Sequence, residues 1–224
     1  MKTIPIRKTI LATLAFTFSN WQKLLEVSIF PFLMALPLIT ILPELMITLQ
    51  AQLFGIGEVG AYPEYYQLYL LMFDYGYMAL VINIYRMVIS GNKSIARLGA
   101  VLPSLRFGRF FLLFILLSIA IQFPIFISPF LLPVIYFLLI PISFNLVSIA
   151  NDVPYKKIKL QLSVQLRVFL LKLGVPTLLI VLVTLIGANE FIFWGSMVIV
   201  IYWMAISFAL CYSVIMANNS KQNP

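Results

Sequence analysis

Residues 110–151 read FFLLFILLSIAIQFPIFISPFLLPVIYFLLIPISFNLVSIAN and contain no Asp, Glu, Lys or Arg. A single helix of this length, rising 1.5 Å per residue, would be about 60 Å long, twice the thickness of a bilayer's hydrocarbon core. The chain must therefore turn back within the stretch, and Ser128-Pro129 at its midpoint favours a turn. We predict two membrane spans here, over about 110–127 and 130–150.

A search for other runs of about 20 mostly apolar residues predicts four more spans. They cover about 27–49, 66–90, 169–188 and 192–216. The short sequence Gly187-Ala188-Asn189-Glu190 would form the turn between the last two. The predicted fold is therefore all-α, a polytopic transmembrane helical bundle of six spans that forms a single integral membrane domain over residues 1–224.

The composition excludes other classes of protein. The chain is 62% hydrophobic and 10% charged, with a mean hydropathy of +1.05, whereas soluble domains contain about 25% charged residues. This excludes a soluble globule and a disordered chain. The chain has no His and a single cysteine, Cys211, so it lacks the commonest general base and any multi-ligand metal site. We expect no enzymatic activity and no cofactor or metal.

The charged residues predict the orientation. All fifteen Lys and Arg residues fall on one side of the six-span threading, at a rim or just inside it, as Lys172 does in the fifth span. Five of the seven acidic residues fall on the other side, and none of the charges is expected at the midplane. Basic loops mark the cytoplasmic face. We expect both termini there, in a bacterial inner membrane, with a mitochondrial inner membrane as an open alternative.

The connecting segments on the basic side predict amphipathic helices in the headgroup plane, over about 5–24, 93–107 and 155–168. Residues 158–168 alternate between apolar and polar, which by itself favours a strand. A lone strand at a bilayer surface would leave its backbone groups unpaired, so we favour a helix. The same order of elements, an interfacial helix, a span, a turn and a second span, would then occur three times. These could be three structurally related units, or the chain could be an ordinary succession of six spans without a repeat. No signal-peptide cleavage site follows the basic N-terminus, and we expect no cleavage.

Two groups of charged residues are candidate functional sites. The first is an outer acidic rim of Glu44, Asp74 and Glu190. This rim would attract cations or partners, or these residues are ordinary carboxylates at the ends of spans. The second is a set of basic residues on the cytoplasmic side, which we expect to contact anionic lipid headgroups. These residues are Arg97, Arg106, Arg109, Lys156, Lys159 and Arg167. The basic residues lie in short loops, so we expect no nucleic-acid partner.

Polar and proline residues inside the spans have structural and functional interpretations. Asn83, Gln122 and Asn145 could line a substrate path, but hydrogen bonds between helices explain them without a ligand. Broken helices at prolines are a feature of transporters, yet proline is also tolerated in membrane helices when neighbours satisfy the freed carbonyls. These prolines are Pro31, Pro37, Pro43, Pro124, Pro129, Pro133, Pro141 and Pro176.

Several segments carry a resemblance to a known group. They are FSNWQKLLEVSIFPFLMALP (18–37), IYRMVISGNKS (84–94), RFGRFFLLFILL (106–117), ISFNLVSIANDVP (142–154) and QLSVQLRVFLLKLGVP (161–176). In these features the chain resembles the YciC-like group of bacterial six-span inner-membrane proteins. The resemblance extends over nearly the whole chain and contains no catalytic motif. It implies a six-span inner-membrane protein and no particular activity.

The small size and the lack of a soluble domain favour a role by contact. We expect a non-catalytic accessory or assembly subunit of a larger membrane complex, with other membrane protein subunits as partners. The alternative is an uncoupled transporter or a lipid-handling protein, which the proline-rich spans and the acidic rim favour.

Overall fold

The computed structural model describes residues 4–54, 60–91, 95, 97–123, 127–128, 130–153, 158, 160–187 and 189–220. Within these ranges the long regular elements are all helices, and there is no strand. The α-helices are α1 (Ile6–Ser19), α2 (Trp21–Phe54), α3 (Tyr66–Ser90), α4 (Leu105–Gln122), α5 (Leu131–Ala150), α6 (Leu162–Phe169), α7 (Val175–Leu185) and α8 (Glu190–Ser220). A π-helical turn at Leu170–Gly174 joins α6 to α7 in one continuous run.

Six helical stretches are long and apolar enough to cross a membrane, which confirms the predicted six-span helical bundle. They are Trp21–Gln52, Tyr66–Ser90, Leu105–Gln122, Leu131–Ala150, Leu162–Leu185 and Ile192–Ala217. The first, third and fifth begin five to seven residues earlier than the sequence predicted. The reason is that each helix continues through polar and basic residues that hydropathy alone places outside the span.

The described chain divides into two compact units. The smaller unit contains Gln22–Asn83 and Ile95–Val101, and so includes α2 and most of α3. The larger unit contains the described parts of Met1–Trp21, Ile84–Ser94 and Leu102–Pro224.

In the smaller unit, α2 and α3 approach closely where Gly76 faces Pro31. A Cβ added at Gly76 would lie 2.9 Å from both the Pro31 carbonyl oxygen and the Met34 Cβ. Phe30 and Tyr75 pack edge to face beside this contact, with ring centroids 5.8 Å apart. A small residue at a helix interface lets two membrane helices pack at short distance, which is where dispersion contacts are strongest.

The segment after α3 differs from the interfacial helix predicted over 93–107. Residues 92–94 and 96 lie outside the described part of the chain. Arg97–Gly99 form one 3-10 turn with positive φ at Leu98 (55°) and Gly99 (81°), and the chain is not helical again until α4. The Ser104 side chain accepts a hydrogen bond from the Phe107 N–H and so caps α4.

This loop packs along α3 rather than lying on a surface. Asn83 Nδ2 donates to the Gly99 carbonyl at 2.9 Å, and the Tyr75 hydroxyl donates to the Val101 carbonyl. Asn83 and Tyr75 lie seven and fifteen residues before Ser90, or about 10 and 22 Å along the helix. We call residues 97–101 the re-entrant loop, because the Gly99 and Val101 carbonyls lie beside α3 and are hydrogen-bonded to it, as non-helical backbone in a bilayer must be.

The larger unit is packed mainly in the half of each helix nearest the basic segments, which we call the basic half. Phe144 of α5 stacks on Phe208 of α8, with ring centroids 4.4 Å apart and planes 5° apart. Buried residues of α5 begin at Ile140. The other ends of the helices, which we call the outer halves (131–139 of α5, 177–185 of α7 and 192–199 of α8), contain no buried residue except Ser196.

The other two predicted interfacial helices differ from the structure in their bounds, and their position in the headgroup plane stays a prediction. For the helix predicted over 5–24, α1 ends at Ser19 and the remaining residues belong to α2. Of the helix predicted over 155–168, residues 155–157 and 159 lie outside the described part. Residues 158, 160 and 161 are not helical, and the helix begins at Leu162 and runs directly into the span. The strand alternative does not hold for residues 162–168.

Candidate functional site

The fifth span widens into a π-turn just before a proline. Pro176 has no backbone N–H, so it cannot donate the usual helical hydrogen bond to the carbonyl of Lys172, four residues earlier. The turn at Leu170–Gly174 opens there, and the Trp203 indole N–H of α8 donates to the Leu171 carbonyl at 2.9 Å. A π-turn within a helix often marks a functional position, because it projects a side chain that regular geometry would direct elsewhere.

Lys172 is the side chain projected by this turn, and it meets aromatic rings. Its Nζ lies 4.0 Å from the centroid of the Phe208 ring and 5.2 Å from that of Tyr136. Phe208 is 1% exposed. The ammonium group is therefore directed into the protein by two cation–π contacts.

The ammonium lies near the middle of the spans. Lys172 is ten residues after Leu162, or about 15 Å along its helix. Tyr136 is fourteen residues before Ala150, the basic end of α5, or about 21 Å along that helix. Because Nζ approaches the Tyr136 ring, the side chain does not extend back to the basic end as a snorkelling lysine would.

The fifth helical stretch begins at Leu162 instead of 169, which places seven more helical residues before the lysine. Lys172 therefore lies near the middle of this stretch and not at its start, while the expectation that no charge lies at the bilayer midplane stays a prediction. A lysine four residues before Pro176 in an otherwise apolar run is the sequence signal for this site.

The aromatic rings compensate only part of the cost of this charge. Two ion pairs occur among the described residues, Lys23–Glu26 at 2.7 Å and Arg106–Asp152 at 2.6 Å, and neither involves Lys172. A desolvated cation–π contact contributes about 2 kcal/mol, whereas desolvating an ion costs several kcal/mol. A counter-anion would stabilise the charged lysine further.

The rings around Lys172 are held by contacts between α5 and α8. Phe144 stacks on Phe208 and lies 5.9 Å from the Tyr212 ring. The Tyr212 hydroxyl and Ser148 Oγ share a buried hydrogen bond of 2.8 Å. The site is therefore rigid on its α5 and α8 sides, so the position of the lysine is set by the surrounding packing.

The hydrogen bond that Pro141 removes from α5 is replaced by one from a side chain of α6. Pro141 cannot bond the carbonyl of Phe137, and Gln165 Nε2 of α6 donates to that carbonyl at 2.6 Å. The Phe137 ring also meets Phe169, with centroids 5.7 Å apart. This agrees with the interpretation of span prolines as structural at this position.

At the basic end, Arg86 joins α3 to α5. Its Nε donates to the carbonyl of Ala150, the last residue of α5, at 2.9 Å. Asn151 Nδ2 donates to the Tyr85 carbonyl at 3.3 Å and the Ser90 hydroxyl donates to Asn151 Oδ1 at 3.0 Å. A cation at a helix C-terminus is stabilised by the helix dipole, so the charge of Arg86 serves helix capping.

The predicted headgroup contacts are only partly described. Arg106 and Arg109 are exposed near the start of α4, and Arg106 is paired with Asp152. Arg167 is half-buried, and its Nη1 donates to the Ile4 carbonyl at 2.8 Å, which fixes the N-terminal segment. The Arg97 side chain and all of Lys156 and Lys159 lie outside the described residues.

The predicted acidic rim is not assembled by any described contact. Glu44 is exposed on α2 and Asp74 is half-buried on α3, while the Glu190 side chain lies outside the described residues. Neither Glu44 nor Asp74 belongs to the ion pairs found in the described part of the chain. The rim therefore stays a prediction.

The polar residues inside the spans differ in their surroundings. Asn83 holds the re-entrant loop, as predicted for a structural role. Asn145 Nδ2 donates to the Ile142 carbonyl at 3.0 Å, while its Oδ1 is buried without a hydrogen-bond partner among the described groups. Gln122 is exposed at the end of α4.

Comparisons with known protein families, with curated proteins and with solved structures gave no match. Two features of the larger unit bear on its function. These are the lysine among aromatic rings and the outer halves that lack buried residues.

Proposed function

We propose that this chain is a non-catalytic multi-pass membrane protein that acts as an accessory or assembly subunit of a larger membrane complex. The observation that carries this proposal is the lack of fully buried residues, apart from Ser196, in the outer halves of the larger unit. In α5 the fully buried residues begin only at Ile140, and before it Tyr136 and Phe137 contact Phe169 while their neighbours Val134 and Leu138 stay exposed. Membrane helices associate through close packing, and the outer halves offer unpacked surface for helices of a partner.

The use of polar groups supports a non-catalytic role. Asn83, Arg86 and Gln165 each bind a backbone carbonyl that lies outside a regular helical bond. Groups committed to the backbone in this way stabilise the fold and are not placed to act on a substrate.

The proposed location is the inner membrane of a bacterium with both termini in the cytoplasm, since the basic segments share one side of the threading. Lipid headgroups that meet the basic segments would be anionic. Membership of the YciC-like group stays a prediction from the sequence.

The accessory role is tested by isolating the tagged chain from its own membrane at its natural abundance, followed by native mass spectrometry. We expect a stoichiometric membrane protein partner. The substitutions Val134→Trp and Leu182→Trp, on exposed outer halves of α5 and α7, should weaken that complex. Leu112→Trp, on an exposed basic-half position of α4, is the matched control. A chain recovered without any protein partner contradicts the proposal.

A second candidate function is the handling of an anionic lipid, and Lys172 is the observation that favours it. An ionisable residue inside a membrane span generally serves a function. A path for anionic lipid that is not coupled to the movement of protons or ions would need a group that binds the anion, but no carboxylate that carries a proton.

A further inference from the structure

We propose that Lys172 is the anion-binding group of an intramembrane lipid site, in which its ammonium pairs with the phosphate or carboxylate of an anionic lipid. This inference deepens the second candidate function and rests on it. The ligand class follows from the chemistry of the site, a single cation with apolar surroundings.

The first argument is the uncompensated charge. The Lys172 ammonium faces the rings of Phe208 and Tyr136, and it belongs to neither of the ion pairs found in the described residues. Ring faces attract a cation but do not neutralise it. An anion that enters the membrane interior would find its most favourable partner there.

The second argument is access from the lipid phase. Lys172 and Tyr136 are both partly exposed, whereas Phe208 beneath the ammonium is buried. The site is therefore closed on the Phe208 side, and the partly exposed Lys172 and Tyr136 lie at the surface of the larger unit. The Tyr136 hydroxyl is itself buried, so a headgroup would approach the ammonium along the exposed part of Lys172 and would not displace the stacked pair of Phe144 and Phe208.

The third argument is the apolar surface beside the lysine. Exposed aliphatic side chains line the outer halves of α5 and α7: Leu131, Val134, Leu138, Leu178, Leu182 and Leu185. α7 packs on α8 and α5 packs on α4, α6 and α8, while few contacts join α5 to α7 directly. Acyl chains match such surfaces, and the ammonium lies at the end of these surfaces nearer the basic segments, which is the end where a lipid of that leaflet would carry its headgroup.

A lipid fits this arrangement better than a carboxylate on a partner helix. The ammonium is directed inward against Phe208, so a side chain anchored on a rigid neighbouring helix would have to extend far into the unit. A headgroup on a flexible chain is not held back in this way.

The test is native mass spectrometry of the full chain from phosphatidylcholine nanodiscs containing phosphatidic acid in one arm and oleate in a second. We expect one anionic lipid to stay bound, and Lys172→Met to weaken its retention at least about tenfold, the scale of one lost charge contact. Lys172→Arg should keep most of the retention. Retention in only one arm identifies the phosphate or the carboxylate.

Two controls separate this site from surface contacts and from misfolding. Lys8→Met removes an exposed cation near the start of α1 and should leave the bound lipid in place. Circular dichroism identifies a Lys172→Met protein that fails to fold, and Lys172→Gln then replaces it.

Three results would overturn the inference. They are equal retention of phosphatidylcholine and anionic lipid, loss of retention in Lys8→Met but not in the Lys172 variants, and binding of a leucine-rich transmembrane peptide with a central Glu in place of either lipid. Movement of fluorescent lipid in proteoliposomes is a separate assay. If no lipid movement is seen, lipid handling as a function is contradicted. Whether Lys172 binds an anionic lipid is decided by the mass spectrometry result alone.

Discussion

Gln165 donates a hydrogen bond of 2.6 Å to the carbonyl of Phe137, the one carbonyl of α5 that Pro141 leaves without its usual partner. A side chain on one helix thus repairs a break in another. The contact fixes α6 on α5 directly below Phe169 and the π-turn. It links the stability of the larger unit to the position of Lys172.

This relationship predicts a specific coupling between two substitutions. Gln165→Leu should lower the free energy of unfolding by about 1–3 kcal/mol, because it leaves a buried carbonyl unsatisfied. In a Pro141→Ala background the alanine N–H bonds Phe137, so the same change should cost about 1 kcal/mol less. Thermal unfolding in detergent measures both, with Ser163→Ala on the exposed face of α6 as the control. Equal costs in the two backgrounds would show that the bond does not replace the proline's missing donor.

The re-entrant loop predicts a strong effect of one methyl group. A Cβ at Gly99 would lie 1.9 Å from the Val27 carbonyl oxygen, and its φ of +81° disfavours any side chain. Gly99→Ala should destabilise the smaller unit by about 2 kcal/mol or more. At Gly108 a Cβ meets nothing within 4 Å, so Gly108→Ala in α4 should be neutral or stabilising. Similar unfolding temperatures for both variants would argue against the packed loop.

The same loop predicts a pattern of chemical protection. In a Cys211→Ser background, Val101→Cys should resist a membrane-impermeant maleimide, because Val101 is buried and its carbonyl is bonded by Tyr75. Ser19→Cys at the exposed end of α1 should react readily. Adding Asn83→Leu and Tyr75→Phe should expose the thiol introduced at position 101 to the reagent. Immediate labelling without those changes would place the loop at the surface, as the predicted interfacial helix would have been.

Arg86 predicts a difference between two basic residues. Arg86→Met should lower stability by about 1–2 kcal/mol, since α5 loses a cation at its last carbonyl. Arg109→Met removes a cation near the N-terminus of α4, where positive charge is not favoured, and should change little. The two unfolding transitions in detergent provide the comparison, and a larger loss for Arg109→Met would refute the capping role.

The spans were predictable because length and apolarity alone determine them. Their starts were not, since helices α2, α4 and α6 continue through residues such as Lys23, Arg106 and Arg167 that hydropathy assigns to loops. Local sequence patterns predict that a segment is helical. They do not predict which distant residue a polar side chain on that helix will contact.

The re-entrant loop and the lysine site depend on contacts distant in sequence. Asn83 reaches Gly99 and Lys172 reaches Phe208 only in the folded chain. The basic character of 93–107 favoured a surface helix, but two positive φ angles at Leu98 and Gly99 end any helix there. No local pattern in the sequence indicates such pairs.

The proposed location and topology require six crossings with all basic segments on one face of the membrane. The most direct measurement is labelling of intact cells or oriented vesicles carrying a single cysteine at residue 93, 157 or 60 in the Cys211→Ser background. We predict that Lys93→Cys and Lys157→Cys react from the same face, and Gly60→Cys from the other. Reaction of residues 93 and 157 from opposite faces would contradict the threading and the proposals built on it.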